Sequence, residues 1–420
     1  MLRKILFSTL GLGALASTAS ANAFNINEHD ARVTGRAGAT AASNTEPSSV
    51  VFNPGGIAIN EGTQVAIGTA FYFAEGSYEG EGVEKQTTDS PMAAVPSIFV
   101  TSRVHEMVAV GVGFHLPFGL AVSWPTDHPQ AGVIQDQTLR TYFITTAVGV
   151  NLEKQVPGLS LGAGLDLVPA TIELENQVAF GDVKGTAHLG GDAFGIGGRF
   201  GAMYHAPAVP GLKIGVMYRT PVKLDFEGNG DFDIEAPYRS QLPPDGTINA
   251  SITLPQQVWG GVAYSPIPDL DIEYNAVWIN WAQTWDDGDL VIDFPDDGNP
   301  ATPRQQSRQP QDYKNTVSHR LGFEYRLPAQ KVALRAGFMY DPTPIPTTTL
   351  TPRLPDVNRK NVTLGASYQI NSDYGLHLGL LWVTPGERDT SDEMYMPQFK
   401  GTYGVQALVA NLGVSGAFGK

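Results

Sequence analysis

The chain contains no cysteine in 420 residues. A disulfide framework is therefore excluded, and stability must come from backbone hydrogen bonding and packing. Positive charge is also scarce. Against 42 Asp and Glu stand 27 Lys and Arg, for a net charge of -15, which argues against nucleic acid as a partner because phosphate binding draws on Lys and Arg. Long apolar runs are missing too. The longest is Ile5 to about Ala16, preceded by Arg3 and Lys4 and followed by small residues ending Ala21-Asn22-Ala23. It is too short to span a bilayer as a helix, and it reads as a secretory signal peptide over residues 1–23 with the mature chain starting at Phe24. Gly11, Gly13 and Ala16 have the spacing of a nucleotide fingerprint, but no strand precedes them and the segment is removed. No transmembrane helix follows.

What is present suits strands and turns: 47 glycines, 30 prolines, 10% aromatic residues and only 16% charged residues. Beyond Gly62 the pattern has period two. Val362, Leu364, Ala366, Tyr368 and Ile370 alternate with Asn361, Thr363, Gly365, Ser367 and Gln369, and the stretches 212–219 and 271–278 behave alike. One face is apolar and the other polar. A half-buried soluble sheet would share that alternation, so the connections decide. Fourteen strands are expected at about 62–74, 92–102, 106–122, 138–152, 158–172, 188–206, 211–229, 247–265, 269–283, 314–327, 330–342, 356–370, 374–384 and 401–418. Their linkers alternate between tight turns (such as 153–157 and 206–210) and long loops (about 75–91, 123–137, 173–187, 230–246, 284–313, 343–355 and 385–400). Sorted loops and an even strand number point to an all-β fold, a 14-stranded antiparallel transmembrane β-barrel over residues 62–420. A bilayer offers no water to an open sheet edge, hence closure. Tyr72, Trp124, Tyr142, Tyr264, Trp281, Tyr340, Trp382 and Phe418, near strand ends, are candidates for interfacial girdles.

Residues 24–61 do not read as a strand. The stretch Gly35 to Gly56 is rich in Gly, Ala, Ser and Thr and ends in rigid Pro54 and flexible Gly55-Gly56. It suits an N-terminal hatch filling the lumen, which in a barrel of this size would otherwise leak. A disordered periplasmic tail is the alternative.

These residues also carry a resemblance. Phe24-Asn25-Ile26-Asn27-Glu28, Gly35-Arg36-Ala37 and Phe52-Asn53-Pro54-Gly55 resemble the N-terminal hatch of the FadL/TodX family of outer-membrane transporters for long-chain fatty acids and aromatic hydrocarbons. Further pieces follow in family order: Pro117-Phe118-Gly119-Leu120, Tyr218 through Lys223, Ile279-Asn280-Trp281, Tyr340 through Pro346 and Pro352 through Arg359. The resemblance covers essentially the whole mature chain. It implies hatch residues at Phe24, Asn27, Glu28, Gly35, Arg36, Asn53, Pro54 and Gly55, and a lateral gate at Pro117, Phe118 and Gly119. Gly55 stands where the family usually has alanine, and the chain ends Phe418-Gly419-Lys420 rather than on the aromatic residue. The fatty-acid members hold a carboxylate with basic residues. One such position falls on Asn176, and the other lies in the 284–313 loop, where Arg304 or Arg308 is available; Arg308 is the candidate head-group contact.

The break in the third strand also follows from the residues themselves. Proline cannot donate a ladder hydrogen bond, and Gly119 permits backbone angles that other residues resist. Together Pro117 and Gly119 predict an inward kink and a gap in the wall. Apolar residues in polar phase should line the lumen, which singles out Phe143, Met203, Met217, Trp259, Val277 and Met339 as ligand contacts or as packing against the hatch. Arg199, Arg219, Arg320, Arg335, Glu273 and Glu324 share the inward phase and read as paired charges holding the hatch.

No catalytic role is assigned. The eight histidines lack metal-ligand spacing, Ser415 is not in a nucleophile elbow, and no cofactor or metal is expected. A lipase assembled from separate strands is left open by sequence. Asp286 through Asp297 has neither the spacing nor the terminal Glu of a calcium loop. The expected function is passive transport of a hydrophobic small molecule, a fatty acid or hydrocarbon, by a monomer among the lipid and lipopolysaccharide of the bacterial outer membrane. A general diffusion porin for polar solutes and a surface adhesin barrel are the alternatives.

Overall fold

The computed structural model describes residues 23–89, 92–128, 131–296 and 305–419; the signal-peptide reading of residues 1–22 lies outside them. Fourteen antiparallel strands form a closed barrel. They are β1 (Thr63–Gly80), β2 (Ala93–His105), β3 (Val108–His115, resuming at Gly119–Ser123), β4 (Asp136–Thr141 and Phe143–Asn151), β5 (Leu159–Phe180), β6 (Val183–His205) and β7 (Leu212–Arg219 and Val222–Asp233). The circle continues with β8 (Gly246–Leu254 and Gln257–Ile267), β9 (Leu270–Ile279), β10 (Thr316–Leu327), β11 (Val332–Asp341), β12 (Arg359–Gln369), β13 (Tyr374–Asp389) and β14 (Gly401–Phe418). Each pairs with its sequence neighbours. Closure comes from β1 against β14, in unbroken register from Thr63↔Phe418 to Gly80↔Gly401. Each strand thereby has a paired neighbour on both sides, which is what a bilayer demands.

The alternation is inside-out relative to a soluble sheet. On β12, Val362 and Leu364 are 43% and 58% exposed, whereas Asn361 and Thr363 are 0% and 1%. The apolar face points away from the barrel axis and the polar face into it, which suits a wall surrounded by lipid. Among the described residues no helix is long and apolar enough to cross a membrane.

Several expected boundaries move. The expected loop 173–187 is mostly strand: β5 and β6 run on to Phe180 and Val183, joined by a two-residue turn. The expected loop 75–91 holds a further strand, Val83–Thr87, paired with the end of β1. The 284–313 loop likewise contains a hairpin, Asp289–Asp293 against Gln306–Pro310. Period-two counting misses such extensions because turn residues and charge mask them. Strands expected to be continuous also break, β7 at Thr220-Pro221 and β8 at Pro255-Gln256, because proline has no N–H for the ladder.

The girdle expectation holds only in part. Tyr264, Trp382 and Phe418 are 47%, 51% and 46% exposed on the outer face, but Tyr72, Trp124 and Trp281 are buried. Tyr72 donates to Glu28 and Trp124 to Pro352 O, so the polar atoms of these two rings find partners inside the barrel.

The N-terminal segment lies inside the wall. It forms α1 (Ala31–Gly35), α2 (Ser49–Phe52) and a 3-10 turn (Pro54–Ile59). Asp30 caps α1 by accepting from Arg32 N–H at 2.8 Å, and the Asn53 side chain accepts from Gly55 N–H at 3.1 Å ahead of the 3-10 turn. Such caps satisfy donors that a short helix leaves open.

Candidate functional site

The half of the lumen nearer the short turns is polar. Arg199 of β6 makes a forked contact with Asp166 of β5, with Nε to Oδ1 at 3.0 Å and Nη2 to Oδ2 at 2.9 Å, and Thr145 donates to Asp166 at 2.6 Å. The same guanidinium donates to Val51 O, tying α2 to the wall. On the other side Glu273 of β9 accepts from Ala42 N–H at 2.8 Å and pairs with Arg36 at 3.3 Å. Asn275 accepts from the N–H groups of Thr40 and Ala41 at 2.8 and 3.0 Å. Asn53 donates to Ala41 O and to Ala202 O of β6. Thr363 of β12 donates to Gly35 O, Asn411 of β14 to Glu28 O, and Arg103 of β2 to Asn60 O. The segment is thus bonded to strands around the whole circumference. Inside a low-dielectric wall each of these polar groups would be costly if left unmet.

The expected ring of paired charges is only partly one. Arg199, Arg335 and Glu324 pair within the wall and Glu273 with Arg36. Arg219 and Arg320 instead lie over aromatic rings, Arg219 4.6 Å from the Phe118 centroid and Arg320 4.4 Å from that of Trp259. Cation–π attraction strengthens where water is excluded.

The half nearer the long loops is apolar. Phe24 leads the segment into an aromatic cluster, with its ring 4.9 Å from Trp281 and 5.9 Å from Phe118. Above it lies a cavity walled by Phe24, Leu120, Leu139, Ile172, Trp285, Tyr313, Ile345 and Leu354. About 50 Å³ of it is free, room for a small polar group or a few waters. A longer guest needs the loop side chains to yield. Arg353 projects into this apolar shell.

Beside the cavity the wall is interrupted. Pairing between β2 and β3 ends at Ile98↔Phe114. Past the break, Gly119–Ser123 pairs with β4 (Gly119↔Arg140 to Ser123↔Asp136), and among the described residues no β2–β3 pairing resumes. Phe118 turns inward and is 1% exposed. The backbone groups freed there bond to the N-terminal segment: Ile26 N–H donates to Pro117 O at 2.8 Å and Gly119 N–H to Phe24 O at 2.9 Å. Thr141 donates to Phe118 O at 2.7 Å. An outer groove of about 590 Å³ begins at this interruption, bordered by Pro96, Phe114, Leu116, Tyr142 and Ile144, and runs across the outer face toward β7.

One reason given for Gly119 is corrected. Its φ does not fall in the left-handed region; a Cβ would stand 3.1 Å from Ile26 Cδ1, so a larger side chain would press on the N-terminal segment. Close approach, not conformational freedom, is what the position needs. The same holds for Gly55, where a Cβ would meet Ser160 O at 3.2 Å and Met203 N at 3.3 Å.

Of the other hatch candidates, Asn27 is buried with its N–H donating to Glu28, and Pro54 opens the 3-10 turn. The six apolar lining candidates, Phe143, Met203, Met217, Trp259, Val277 and Met339, are all buried, and none walls the loop-side cavity. Phe143 packs on Phe118 and His115, Trp259 on Phe52. Arg308, the candidate head-group contact, is half exposed in the loop hairpin, 3.4 Å from Asp289, and does not reach the cavity. The resemblance located that basic residue only within the 284–313 loop, and nothing local fixes which way a loop side chain faces. Arg304 lies outside the described residues, and Asn176 sits on the loop-side extension of β5, away from the cavity. Among the described residues no cluster of His, Asp or Glu could hold a metal.

Sequence reasoning passed over Arg353, Tyr313 and Trp285. Arg353 stands in the quoted segment Pro352 through Arg359, but only packing reveals that it is buried.

Comparison with known proteins adds the lineage. Residues 12–418 match the family described as outer membrane protein transport protein (OMPP1/FadL/TodX). A long-chain fatty acid transport protein of Salmonella typhi is 22% identical, over 91% of this chain and 93% of its own. Outer membrane protein P1 of Haemophilus influenzae is 24% identical, over 88% and 87%. In fold, a Pseudomonas aeruginosa FadL homologue superposes with a TM-score of 0.81 at 16% identity, covering 94% of this chain and all of that one. The P. putida toluene transporter TodX gives 0.75 at 16%, with the same coverage. The chain belongs to the OMPP1/FadL/TodX family of outer-membrane transport proteins.

Proposed function

We propose that this protein passes hydrophobic molecules, long-chain fatty acids or related hydrocarbons, across the outer membrane, and that they leave sideways through the wall rather than down the lumen. Residues 24–61 act as the hatch. Its polar contacts with strands on all sides support that role, because they leave no wide aqueous route for a general porin. The interruption at Leu116–Phe118 supports lateral exit. There the aromatic cluster inside the barrel is separated by Phe118, and by the hydrogen bonds of its neighbours Pro117 and Gly119 to residues 24–26, from an outer groove whose near end at Pro96, Phe114, Leu116, Tyr142 and Ile144 is apolar. An apolar chain keeps about 0.8 kcal/mol per methylene by staying out of water, so a route from lumen to lipid is downhill where a route through periplasm is not.

In this reading Phe24 and Phe118 move together when a guest fills the loop-side cavity, and Pro117 and Gly119 keep the wall open. The protein works as a monomer surrounded by lipid and lipopolysaccharide, performs no catalysis and needs no cofactor. Uptake of labelled oleate, an alkane, toluene and a sugar into proteoliposomes tests the proposal. The first three are expected to enter faster than the sugar, and an equal or faster sugar flux would overturn it in favour of a diffusion porin.

A further inference from the structure

Arg219 ends the first part of β7, just before the ladder breaks at Thr220-Pro221. Its phase points it into the lumen, where it is 6% exposed. Neither cross-strand neighbour serves it. On β6 it faces Arg199, and like charges placed opposite one another repel. On β8 it faces Gln257, whose amide donates to Asn25 at 3.2 Å and accepts from Trp259 Nε1 at 3.0 Å. Among the described residues Arg219 has no ion pair of its own, since Asp166 is committed to Arg199 and Thr145, and its Nη2 has no hydrogen-bond partner.

What the guanidinium does meet is aromatic. Its central carbon lies 4.6 Å from the centroid of Phe118 and 5.8 Å from that of Phe143. A buried cation without a counter-charge is expensive, and the face of an aromatic ring offsets part of that cost where water is excluded. A comparable stack sets Arg320 4.4 Å from Trp259, but Trp259 belongs to an unbroken stretch of wall, paired with Met217 on one side and Val277 on the other. Phe118 does not. It sits in the interruption between His115 and Gly119, where the backbone of its neighbours is bonded to the N-terminal segment and its ring is held by side chains alone. Phe24, Trp281 and Phe143 meet that ring at centroid distances of 5.9, 6.2 and 6.3 Å. Swinging Phe118 out of the gap therefore strips Arg219 of its principal partner, a cost that falls on opening and not on the closed wall.

We propose that Arg219 is the latch of the lateral opening. It is a positioning residue: its charge holds the Phe118 ring across the gap, so that hydrophobic molecules leave only as fast as that ring is pulled from the guanidinium. The inference rests on the lateral-exit reading above and deepens it by naming what keeps the empty barrel shut. It also explains why a cation is kept beside these rings. A methionine would fill much of the same space, yet it would let the ring go.

Uptake of labelled oleate into proteoliposomes tests this, with Phe118 replaced in turn by mono-, di- and trifluorophenylalanine. Fluorine drains negative charge from the ring face while changing its size little, so packing is held nearly constant. With Arg219 in place, uptake should climb with each fluorine, by about five- to thirtyfold at the third, the span expected of a cation–π contact away from water. R219M should be fast from the start and flat across the series, and R219K should keep part of the climb. Folding of every variant is checked by resistance to denaturation in SDS. A flat series with Arg219 in place, or one in R219M that still climbs, would overturn the latch. P117V with G119V separates that result from the route itself: if this pair slows uptake while fluorination has no effect, lateral exit stands without the latch. Wild-type uptake no greater than that of protein-free vesicles would instead overturn the transport reading. Should R219M not fold, R219Q replaces it with the same expectation of a flat series.

Discussion

The two halves of the lumen solve the same problem in opposite ways. Near the short turns, residues 28–60 meet the wall through carboxylates, amides and guanidiniums, as at Asp166–Arg199 and at Glu273 with Arg36 and Ala42. Near the long loops the same segment ends in Phe24 among Trp281, Trp285 and Phe118, beside a cavity walled mainly by apolar side chains. Satisfied polar contacts are directional and rigid. Aromatic contacts are adaptable and lose little when a greasy guest replaces one surface by another. The difference places firmness where leakage must be prevented and adaptability where a ligand must be admitted.

The bluntest way to break this comparison is to remove the segment. Deleting residues 24–60 should leave a folded barrel with a large, steady ion conductance in planar bilayers and no selectivity for hydrophobic ligands. Conductance no greater than that of the wild type would mean that the wall, not the segment, closes the lumen.

Breaking one polar anchor should cost less, but still a good deal. D166A leaves Arg199 buried and unpaired, and the barrel should lose about 3–5 kcal/mol against unfolding in urea with lipid present. Replacing both partners with apolar residues of similar volume, D166L with R199M, should recover most of that loss. A double variant as unstable as D166A would show that the hydrogen bonds to Thr145 and Val51, not charge, carry the effect.

The interruption in β3 allows a sharper test at the apolar end. P117V should supply the missing ladder donor, and G119V should press a side chain onto Ile26. Uptake of hydrophobic ligand should then fall about tenfold or more, equivalent to ~1.4 kcal/mol at the barrier, while binding in the cavity persists. Wild-type uptake by a folded variant would direct the route past the hatch. The smallest effect is expected at Arg308. Its half-exposed pair with Asp289 should contribute less than about 1 kcal/mol, and R308A should bind oleate as the wild type does. A clear loss of oleate binding would place a head-group contact in the 284–313 hairpin.

The sequence by itself determined the barrel. Period-two alternation, sorted loop lengths and the need to pair every edge in a bilayer leave one architecture for fourteen strands. Pro117 also marked a break, because a missing N–H is a property of the residue wherever it sits. The limits of that reading are equally physical. Alternation tells which residues share a face, but not whether Met217 or Trp259 meets a ligand or the N-terminal segment, since both lie on the same side of the wall. Gly119 suggested backbone freedom, whereas its reason is the nearness of Ile26, a contact between residues far apart in the chain. The interior position of Tyr72, Trp124 and Trp281 depends on partners at Glu28, Pro352 and Phe24 that no local pattern announces. Arg353 is the clearest case. In sequence it is one loop arginine among several, as Arg308 is. Only the tertiary structure decided that Arg308 stands in water beside an aspartate while Arg353 is enclosed by apolar side chains without one. Burial and pairing belong to the folded neighbourhood, not to the residue.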